Sequence, residues 1–452
     1  MPSRSETPRV AGWGRQFVPG RERFSENLEA ASADAHLLRG LGRSYGDSSL
    51  PAPGCPEVLT TTLADRILRF DDAGVLRAEA GLSLHTLNRL SLQRGFFVPV
   101  TPGTQFVTLG GMVASDVHGK HHHVAGTIGR HLRALRMRVA DGRTLECSPT
   151  EHADLFWATV GGMGLTGAIL EVELQMERTP SPWIYQEATR HPDLDSLMGA
   201  LIEGSARWPM TVAWIDCLKR GPSMGRGILY VGRWAEPGEG PATPPRWTSG
   251  RIPVPFEAPD WALAPTNVRL FNFGYYHKQF RQKTAGIVSP EAFFYPLDIV
   301  DNWNLGYGRG GLTQHQAVVP REAGATGVRR ILELLTEASA ASFLCVLKDC
   351  GEEGEGMLSF PRPGISIAID LPVRSGTPAV IARLNEAVLD VGGRIYLTKD
   401  QFTTPEHFRA MEPRLSAFLE VRRRWDPELR FRSAQSVRLF GDPPFGSGEF
   451  HP

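Results

Sequence analysis

Cysteine is scarce in this chain, and long apolar runs and excess charge are missing. Its cysteines, Cys55, Cys147, Cys217, Cys345 and Cys350, form no C-x-x-C pair, which excludes a disulfide framework and a zinc ribbon. No stretch reaches the roughly 18 apolar residues that cross a bilayer, and the N-terminal residues hold no apolar core of signal-peptide length. We therefore expect a cytoplasmic protein, with peripheral contact at the inner face of the membrane compatible with the sequence.

The charge balance also excludes a class of partner. Lys plus Arg and Asp plus Glu both number 49, so the formal net charge is zero. A protein that coats nucleic acid neutralises phosphates with an excess of basic residues, so we expect no nucleic-acid partner. With 452 residues the chain is too long for one ordinary core, and two lobes are expected.

Strand-like and helical segments occur in separate stretches rather than in regular alternation, which is typical of the α+β class. Residues 67–80 predict a β-hairpin, and Ser83 is a suitable N-cap for the helix that follows. Residues 150–158 predict another short helix, capped by Ser148 or Thr150.

Glycine-rich segments carry the chemistry, and the first is residues 39–47 (RGLGRSYGD). Its glycines allow backbone N–H groups to turn inward and hold a phosphate. The same residues match the G-x-S-x-G elbow of hydrolases, with Ser44 as the nucleophile. That elbow needs a helix directly after it, and here Pro51 and Pro53 follow. A serine hydrolase is therefore a distant alternative function. The simplest interpretation of residues 39–47 by themselves is a structural turn.

The second glycine-rich region, residues 101–129, is dominated by small side chains, as expected where a backbone wraps closely around a flat ring. It contains His118 and the run His121, His122, His123. This spacing does not suit a catalytic zinc helix, so we predict no metal. A lysine and histidines among glycines better suit an anionic or electron-rich group.

The third region spells G-x-G-x-x-G with Gly162, Gly164 and Gly167. A Rossmann fingerprint must open a helix, but a β-type run follows here. We therefore interpret these glycines as a loop around a cofactor outside any Rossmann unit.

Taken in order, these segments resemble the FAD-binding oxidoreductases of the vanillyl-alcohol oxidase type, also called the PCMH type. They are more similar still to one branch of it, the decaprenylphosphoryl-ribose 2′-oxidases. The resemblance covers nearly the whole chain, and the matching pieces are RGLGRSYGD, GGMVASDVHGKHHHVAGTIG, LFWATVGGMGLTG, FYPLD, SFLCVLK, LSFPRPG, GGRIYLTKD and RRRWDP. RGLGRSYGD and HGKHHH are specific, whereas FYPLD and RRRWDP are weak alone.

The resemblance implies a two-lobed architecture. An FAD-binding domain would be built from both chain ends, residues 1–178 and 394–452, around a central substrate domain, residues 179–393, with an antiparallel sheet flanked by helices. In many relatives a histidine bonds covalently to the flavin. Arg43 occupies the matching position here, so we predict FAD bound non-covalently.

The resemblance also implies the site residues. The predicted catalytic residues are Lys399, His118 and Tyr45. The predicted FAD-binding residues are Arg39, Gly40, Gly42, Arg43, Ser44, Tyr45, Gly46, Gly103, Thr104, Thr108, Gly110, Gly111, Ser115, His118, Gly119, His122, His123, Ala125, Gly126, Gly164, Thr166, Gly167, Ile169, Tyr396 and Lys399. The predicted substrate-binding residues are Lys120, Trp214, Gln314, Gln316, Lys348, Ala368 and Asp370.

The implied reaction removes a proton from a sugar hydroxyl and a hydride from its carbon. The hydride goes to flavin N5, which requires close orientation, and the proton requires a base that works near neutral pH. The flavin also needs a positive charge near N1–C2 that stabilises its reduced anion. Lys399 is the first choice for these roles. Where the mycobacterial enzymes have a cysteine facing the flavin, this chain has Ala368, so that thiol is not needed for the same reaction.

The implied substrate is a polyprenyl-phosphoribose, oxidised at carbon 2 as the first half of an epimerisation to arabinose. An NAD-dependent keto-sugar reductase would then be the partner enzyme. A polyprenyl chain needs an apolar groove, and the proline-rich loop at residues 236–260 is one candidate wall. The alternative is a flavin oxidase of a free sugar, an alditol or a natural-product glycoside.

Overall fold

The computed structural model describes residues 8–55, 57–247, 251–340 and 342–446 and confirms the α+β class. Residues 248–250 of the predicted proline-rich loop lie outside the described residues, as do both ends of the predicted FAD-binding domain. In chain order the strands are β1 (Arg9–Ala11), β2 (Phe17–Pro19), β3 (Arg21–Phe24), β4 (Leu38–Arg39), β5 (Glu57–Thr60), β6 (Ile67–Phe70), β7 (Val75–Glu79), β8 (Phe96–Phe97), β9 (Leu132–Arg138), β10 (Thr144–Cys147), β11 (Ala168–Gln175), β12 (Glu177–Arg178), β13 (Ile184–His191), β14 (Met210–Ile215), β15 (Gly227–Trp234), β16 (Ile252–Pro253), β17 (Lys283–Val288), β18 (Val300–Asp301), β19 (Leu312–Pro320), β20 (Cys345–Cys350), β21 (Gly364–Pro372) and β22 (Arg394–Ile395).

The helices are short apart from α6, α7, α9, α10 and α12. In chain order they are α1 (Leu28–Ala31), α2 (Leu84–Ser91), α3 (Leu109–Ala114), α4 (His122–Ala125), α5 (Ala153–Thr159), α6 (Leu194–Arg207), α7 (Pro265–His277), α8 (Pro290–Phe294), α9 (Gly324–Glu337), α10 (Thr377–Asp390), α11 (Pro405–Met411), α12 (Leu415–Trp425) and α13 (Ala434–Phe440). Short 3-10 helices span Leu92–Arg94, Ile128–His131, Gly221–Ser223, Asp260–Leu263 and Trp303–Tyr307.

A large antiparallel sheet forms the middle of the chain. Its eight strands lie in the order β17-β13-β15-β14-β20-β21-β19-β22, and each neighbouring pair is antiparallel. Helices α6, α9 and α10 pack on this sheet, and their apolar side chains share one buried cluster with the sheet residues. The sheet therefore presents one face to helices and leaves the other free to line a site.

The N-terminal part contains two smaller sheets. β3-β5-β4 is parallel, and β10-β9-β11-β7-β6 is antiparallel. β6 and β7 form the hairpin predicted at residues 67–80. Ser83 caps α2 as predicted, because its side chain accepts a hydrogen bond from Thr86 N. A second large apolar cluster fills this lobe.

The C-terminal segment returns to the N-terminal part. The side chain of Arg422 on α12 binds Leu165 O at 3.2 Å, and Arg438 on α13 donates to both carboxylate oxygens of Asp47. The predicted domain limits 1–178, 179–393 and 394–452 stay a prediction.

The predicted cap of the helix at residues 150–158 is wrong. Helix α5 begins at Ala153, after His152 in a left-handed conformation with φ of 48°, and has no side-chain cap. The Ser148 hydroxyl accepts from the N–H groups of Thr150 and Glu151 instead. It therefore closes a turn before the helix rather than capping it.

Candidate active site

A deep cavity lies between the glycine-rich N-terminal segments and the free face of the eight-stranded sheet. Including its open mouth, the cavity encloses about 1660 Å³ of empty space. Residues 38–49, 102–118, 163–169 and 396–399 contribute to the walls. The cavity is thus closed by parts of the chain that are distant in sequence.

The sheet face of the cavity follows from strand register. Gln316 on β19 pairs with Ala368 on β21, and Ala368 pairs with Val346 on β20. Because side chains two residues apart lie on the same face of a strand, Gln314 and Lys348 lie on the same side. All five residues line the cavity.

The segment after β22 forms another wall and is held at both sides. Tyr396 donates from its hydroxyl to Ser115 O at 2.9 Å, and Tyr45 N donates to Thr398 O at 3.0 Å. Lys399 Nζ lies 3.9 Å from the centre of the Tyr45 ring. Backbone and side-chain hydrogen bonds between distant segments therefore hold Tyr45 and Lys399, two of the predicted catalytic residues, at the cavity.

Lys399 and Asp370 form the electrostatic centre of the site. Burial lowers the pKa of Lys399 to about 8, although the Asp370 carboxylate raises it and Lys348 lowers it further. Burial raises the pKa of Asp370 to about 7, against the opposing effects of the Gln314 amide and Lys399. Asp370 Oδ1 accepts from Gln314 Nε2, and its Oδ2 has no partner among the described residues. Both groups therefore titrate near neutral pH, which is a property of many catalytic sites.

His118 is held as a neutral imidazole. Burial lowers its pKa well below the ordinary value, and Lys348, His122 and Lys399 lower it further. Gln316 Nε2 lies 2.9 Å from His118 Nε2. An amide nitrogen can only donate, so with this amide orientation the histidine proton is on Nδ1. That Nδ1 has no partner in the described part of the chain, so it is available to a bound group.

The cavity walls fit a large, flat cofactor. The lining includes Gly40, Gly42, Gly103, Gly110, Gly111, Gly164 and Gly167. A Cβ on Gly103 or Gly164 would meet nothing within 4 Å. The glycines therefore leave room along this wall for a large ligand to approach the backbone closely, as the binding of a pyrophosphate and a ring system requires.

Most of the predicted site residues meet at this cavity. Those that line it are Arg39, Gly40, Gly42, Arg43, Ser44, Tyr45, Gly103, Thr104, Thr108, Gly110, Gly111, Ser115, His118, Gly164, Gly167, Ile169, Gln314, Gln316, Lys348, Ala368, Tyr396 and Lys399. The structure does not bring ten others to its lining, namely Gly46, Gly119, Lys120, His122, His123, Ala125, Gly126, Thr166, Trp214 and Asp370.

Close backbone packing explains two of the glycines away from the lining. A Cβ on Gly46 would lie 1.7 Å from Asp400 O, and one on Gly119 would lie 2.2 Å from Thr101 O. Gly126 ends helix α4, which also holds Ala125. These residues shape the loops around the cavity rather than its surface.

The histidines and the threonine bind other protein groups. His122 Nδ1 accepts from Gly351 N at 3.1 Å, and His123 Nε2 lies 2.8 Å from Trp208 O. The Thr166 hydroxyl is 2.8 Å from that of Thr159.

The three predicted substrate residues away from the lining have clear partners. Lys120 Nζ donates to Phe293 O and to Phe294 O, the carbonyls at the end of α8. Trp214 donates from Nε1 to Phe343 O at 3.1 Å. Asp370 lies directly behind Gln314, so it acts on the cavity through neighbouring side chains.

Sequence reasoning missed several lining residues, among them Trp13, Met163, Trp303 and Thr398. Arg43 stacks on Trp13, with its guanidinium carbon 3.9 Å from the ring centre. An arginine in a glycine-rich loop indicates an aromatic partner of this kind. It does not indicate where in the sequence that partner lies.

Two alternative chemistries lack their structural context. No helix follows Ser44, since the chain runs through turns to β5, so the hydrolase elbow is contradicted. Among the described residues, no group of three or more His, Cys, Asp or Glu is arranged to hold a metal ion.

Comparison with known proteins agrees with this geometry. Residues 28–148 match the family model described as an FAD binding domain. The chain is 33% identical to the decaprenylphosphoryl-β-D-ribose oxidase of Mycolicibacterium smegmatis, over 96% of this chain and 97% of that protein. The chain belongs to this oxidase family. It is an FAD-dependent oxidoreductase with a PCMH-type fold.

Other relatives place the decaprenylphosphoryl-ribose oxidase family in a wider group. An uncharacterised Streptomyces coelicolor protein, named for its position in the mprA 5′ region, is 33% identical over 79% of this chain and all of its own length. The L-gulonolactone oxidase of Mus musculus is 33% identical over 25% of each chain. No described helix of this family member is long and apolar enough to cross a membrane.

Ala368 gives a prediction that separates this chain from thiol-bearing members of the oxidase family. The five cysteines are buried and none lines the cavity, so a thiol-directed suicide inhibitor will form no adduct there. Ala368→Cys places a thiol on the lining, and we expect one adduct by intact-mass spectrometry. Val346→Cys, on the strand paired with that of Ala368, tests whether a thiol at another position on the cavity lining also forms the adduct. An adduct on the unmodified protein at this site would contradict the prediction.

Proposed function

We propose that the protein oxidises the 2-hydroxyl of a polyprenyl-phosphoribose to a ketone, as the first step of an epimerisation to arabinose. The observation that carries this proposal is the cavity that joins Lys399, Gln314, Gln316 and Lys348. The likeness to an oxidase named for decaprenylphosphoryl-β-D-ribose along nearly the whole chain supports it.

In this proposal the glycine-rich walls hold FAD, which when bound supplies the acceptor for the hydride. Gln314, Gln316 and Lys348 orient the sugar hydroxyls from the sheet face. Lys348 and Lys399 also give the site positive charge, which favours an anionic phosphate and the negative charge that develops on reduction.

Lys399 takes the hydroxyl proton in its neutral form. Its pKa of about 8 leaves part of the amine unprotonated near neutral pH, as a general base requires. Asp370 is a positioning residue in this scheme, because it holds Gln314 and sets the pKa of Lys399 without lining the cavity. Burial raises the pKa of Tyr45 well above its ordinary value, so its phenol stays protonated. The hydroxyl can then donate a hydrogen bond to the substrate or accept one from it.

The pH dependence of the reduction rate tests the role of Lys399. We expect the anaerobic rate to rise with pH through the lysine pKa of about 8. Asp370→Asn removes the carboxylate that raises this pKa, so the midpoint should move to lower pH. Below about pH 7 the wild-type Asp370 is itself protonated, and the two profiles should converge.

Stopped-flow spectroscopy of both proteins checks this, with the exposed Glu386→Gln as the matched control. A rate that falls as pH rises through this range would show that the protonated lysine is the active form.

The bound FAD should separate from the protein on unfolding. Arg43, stacked on Trp13, replaces the histidine that forms the covalent bond in other flavoenzymes of this type. Acid precipitation is therefore expected to leave a colourless pellet and yellow, fluorescent FAD in the supernatant. Yellow colour that stays in the pellet would contradict non-covalent binding.

The substrate class is tested by adding a polyprenyl-phosphoribose analogue to the purified protein without air. Bleaching of the yellow absorbance near about 450 nm would support the lipid-linked sugar. If colour remains with this analogue but bleaches with a free sugar, an alditol or a glycoside, the alternative substrate class holds. The keto product would then be offered to an NAD-dependent reductase, the proposed partner, and NADH consumption would be measured.

A further inference from the structure

Helix α7 exposes an apolar face to solvent. Val268 and Asn272, which are four residues apart, are buried and form its inner stripe. Leu270 and Phe273 occupy the opposite side and are 71% and 53% exposed. Phe271, beside them, is 47% exposed. The helix therefore turns its most apolar side chains away from the protein.

Aromatic residues on both sides extend this face. Trp261, just before the helix, is 69% exposed, and Phe280, just after it, is 91% exposed. Large side chains of this type usually make up the cores of proteins or their binding surfaces. We call Trp261, Leu270, Phe271, Phe273 and Phe280 the docking face.

The charged residues of the segment that carries the docking face are all basic. Residues 261–289 contain Arg269, Lys278, Arg281 and Lys283 and no aspartate or glutamate, although the charges of the whole chain balance. Lys283 pairs with Glu187 on β13. Lys278 lies over the Tyr275 ring, with its Nζ 3.4 Å from the ring centre.

Arg269, Lys278 and Arg281 form no ion pair with a carboxylate in the part of the chain that the structure describes, and all three are exposed. They are therefore free to meet an anionic surface. A bilayer interface binds surfaces on which exposed Trp, Phe and Leu are flanked by unpaired basic residues. The rings enter the boundary of the acyl chains, and the cations contact the lipid phosphates.

Aromatic contacts connect the docking face to the wall of the active-site cavity. Tyr45 in the cavity wall is 6.4 Å from Trp303, measured between ring centres, and Trp303 is 6.2 Å from Tyr307. Tyr307 is 6.3 Å from Phe343, which is 4.9 Å from Phe271. A chain of ring contacts thus links the cavity wall to the exposed surface.

We propose that the docking face binds the surface of an anionic phospholipid bilayer. Trp261, Phe271 and Phe273 insert between headgroups, and Arg269, Lys278 and Arg281 contact phosphates. This binding does not depend on the proposed substrate, but it would bring the enzyme close to a substrate that is anchored in the bilayer.

Vesicle flotation tests the proposal with the full-length FAD-bound protein. We expect it to float with phosphatidylcholine vesicles that contain phosphatidylglycerol and much less with phosphatidylcholine alone. Salt at ~1 M, where the screening length is about 3 Å, should weaken binding. Leu270→Ser with Phe273→Ser should lower the partition coefficient at least ~10-fold, and Arg281→Glu with Lys278→Glu should abolish the preference for anionic lipid.

Matched controls replace exposed residues elsewhere. Leu68→Ser removes an apolar side chain that is 46% exposed on β6, and Arg423→Glu reverses an exposed charge on α12. Both should float like the wild-type protein. Acyl-brominated lipid should quench tryptophan fluorescence in the wild type and markedly less in Trp261→Phe.

Failure of the wild type to float, or flotation of the docking-face variants equal to it, would overturn the proposal. All variants should keep their FAD and should oxidise a detergent-solubilised sugar substrate at the wild-type rate. If flotation occurs but no lipid-linked sugar is oxidised, the docking proposal stands and the proposed substrate fails.

Discussion

Lys399→Met is expected to lower the rate of anaerobic flavin reduction about 10³-fold, within the 10²–10⁴ range of general-base catalysis. Lys399 lines the cavity, lies 3.9 Å from the Tyr45 ring centre and has a pKa lowered to about 8. Its loss removes both the proton acceptor and a positive charge in the site.

Lys399→Arg separates these two roles. Arginine keeps the positive charge but stays protonated in proteins, so an enzyme that uses Lys399 as a base should be as slow with Arg as with Met. Recovery of a large part of the rate with Arg would show that charge alone is needed. Flavin absorbance before the reaction verifies that both variants bind FAD, and exposed Lys219→Met is the matched control.

Arg422→Met is expected to destabilise the protein by about 3–5 kcal/mol, the usual result of breaking a buried ion pair. Arg422 is fully buried and donates to Asp442 Oδ1 at 2.9 Å and Oδ2 at 2.6 Å. It also donates to Leu165 O at 3.2 Å and Phe431 O at 2.8 Å. The substitution leaves a buried carboxylate and two carbonyls without a donor.

Flavin fluorescence during thermal unfolding measures the effect, because released FAD is brighter than bound FAD. Arg423→Met, on the exposed neighbour, should melt like the wild type. Combining Arg422→Met with Asp442→Leu removes both charges and should recover part of the loss. A melting midpoint for Arg422→Met equal to that of the wild type would contradict this account.

The order of glycine-rich segments predicted most of the cavity lining but not the direction of each residue. Gly103 faces open space, whereas Gly46 packs against the Asp400 carbonyl. Only Gly46 is required to be a glycine by a neighbouring backbone group. The sequence does not show which glycine packs against the protein and which one faces the cavity. The same limit applies to Lys120, whose carbonyl partners lie more than 170 residues away.

Local signals were reliable where the interactions are local. The hairpin at residues 67–80 and the Ser83 cap depend on neighbours within a few residues, and the structure confirms both. The cavity wall at Trp13 and Trp303 depends on long-range packing, and no spacing in the sequence indicates it. The prediction of α5 was wrong at its start because Ser148 had a competing local turn available.

The return of the C-terminal segment restricts when the cofactor can be acquired during synthesis. The cavity wall at 396–399 and the contacts of Arg422 and Arg438 form only after almost the entire chain has left the ribosome. The N-terminal sheets can assemble earlier, since domains generally fold as units during translation. We therefore expect FAD to bind only after residues 396–438 have been synthesised, and a product truncated before residue 396 to accumulate without flavin.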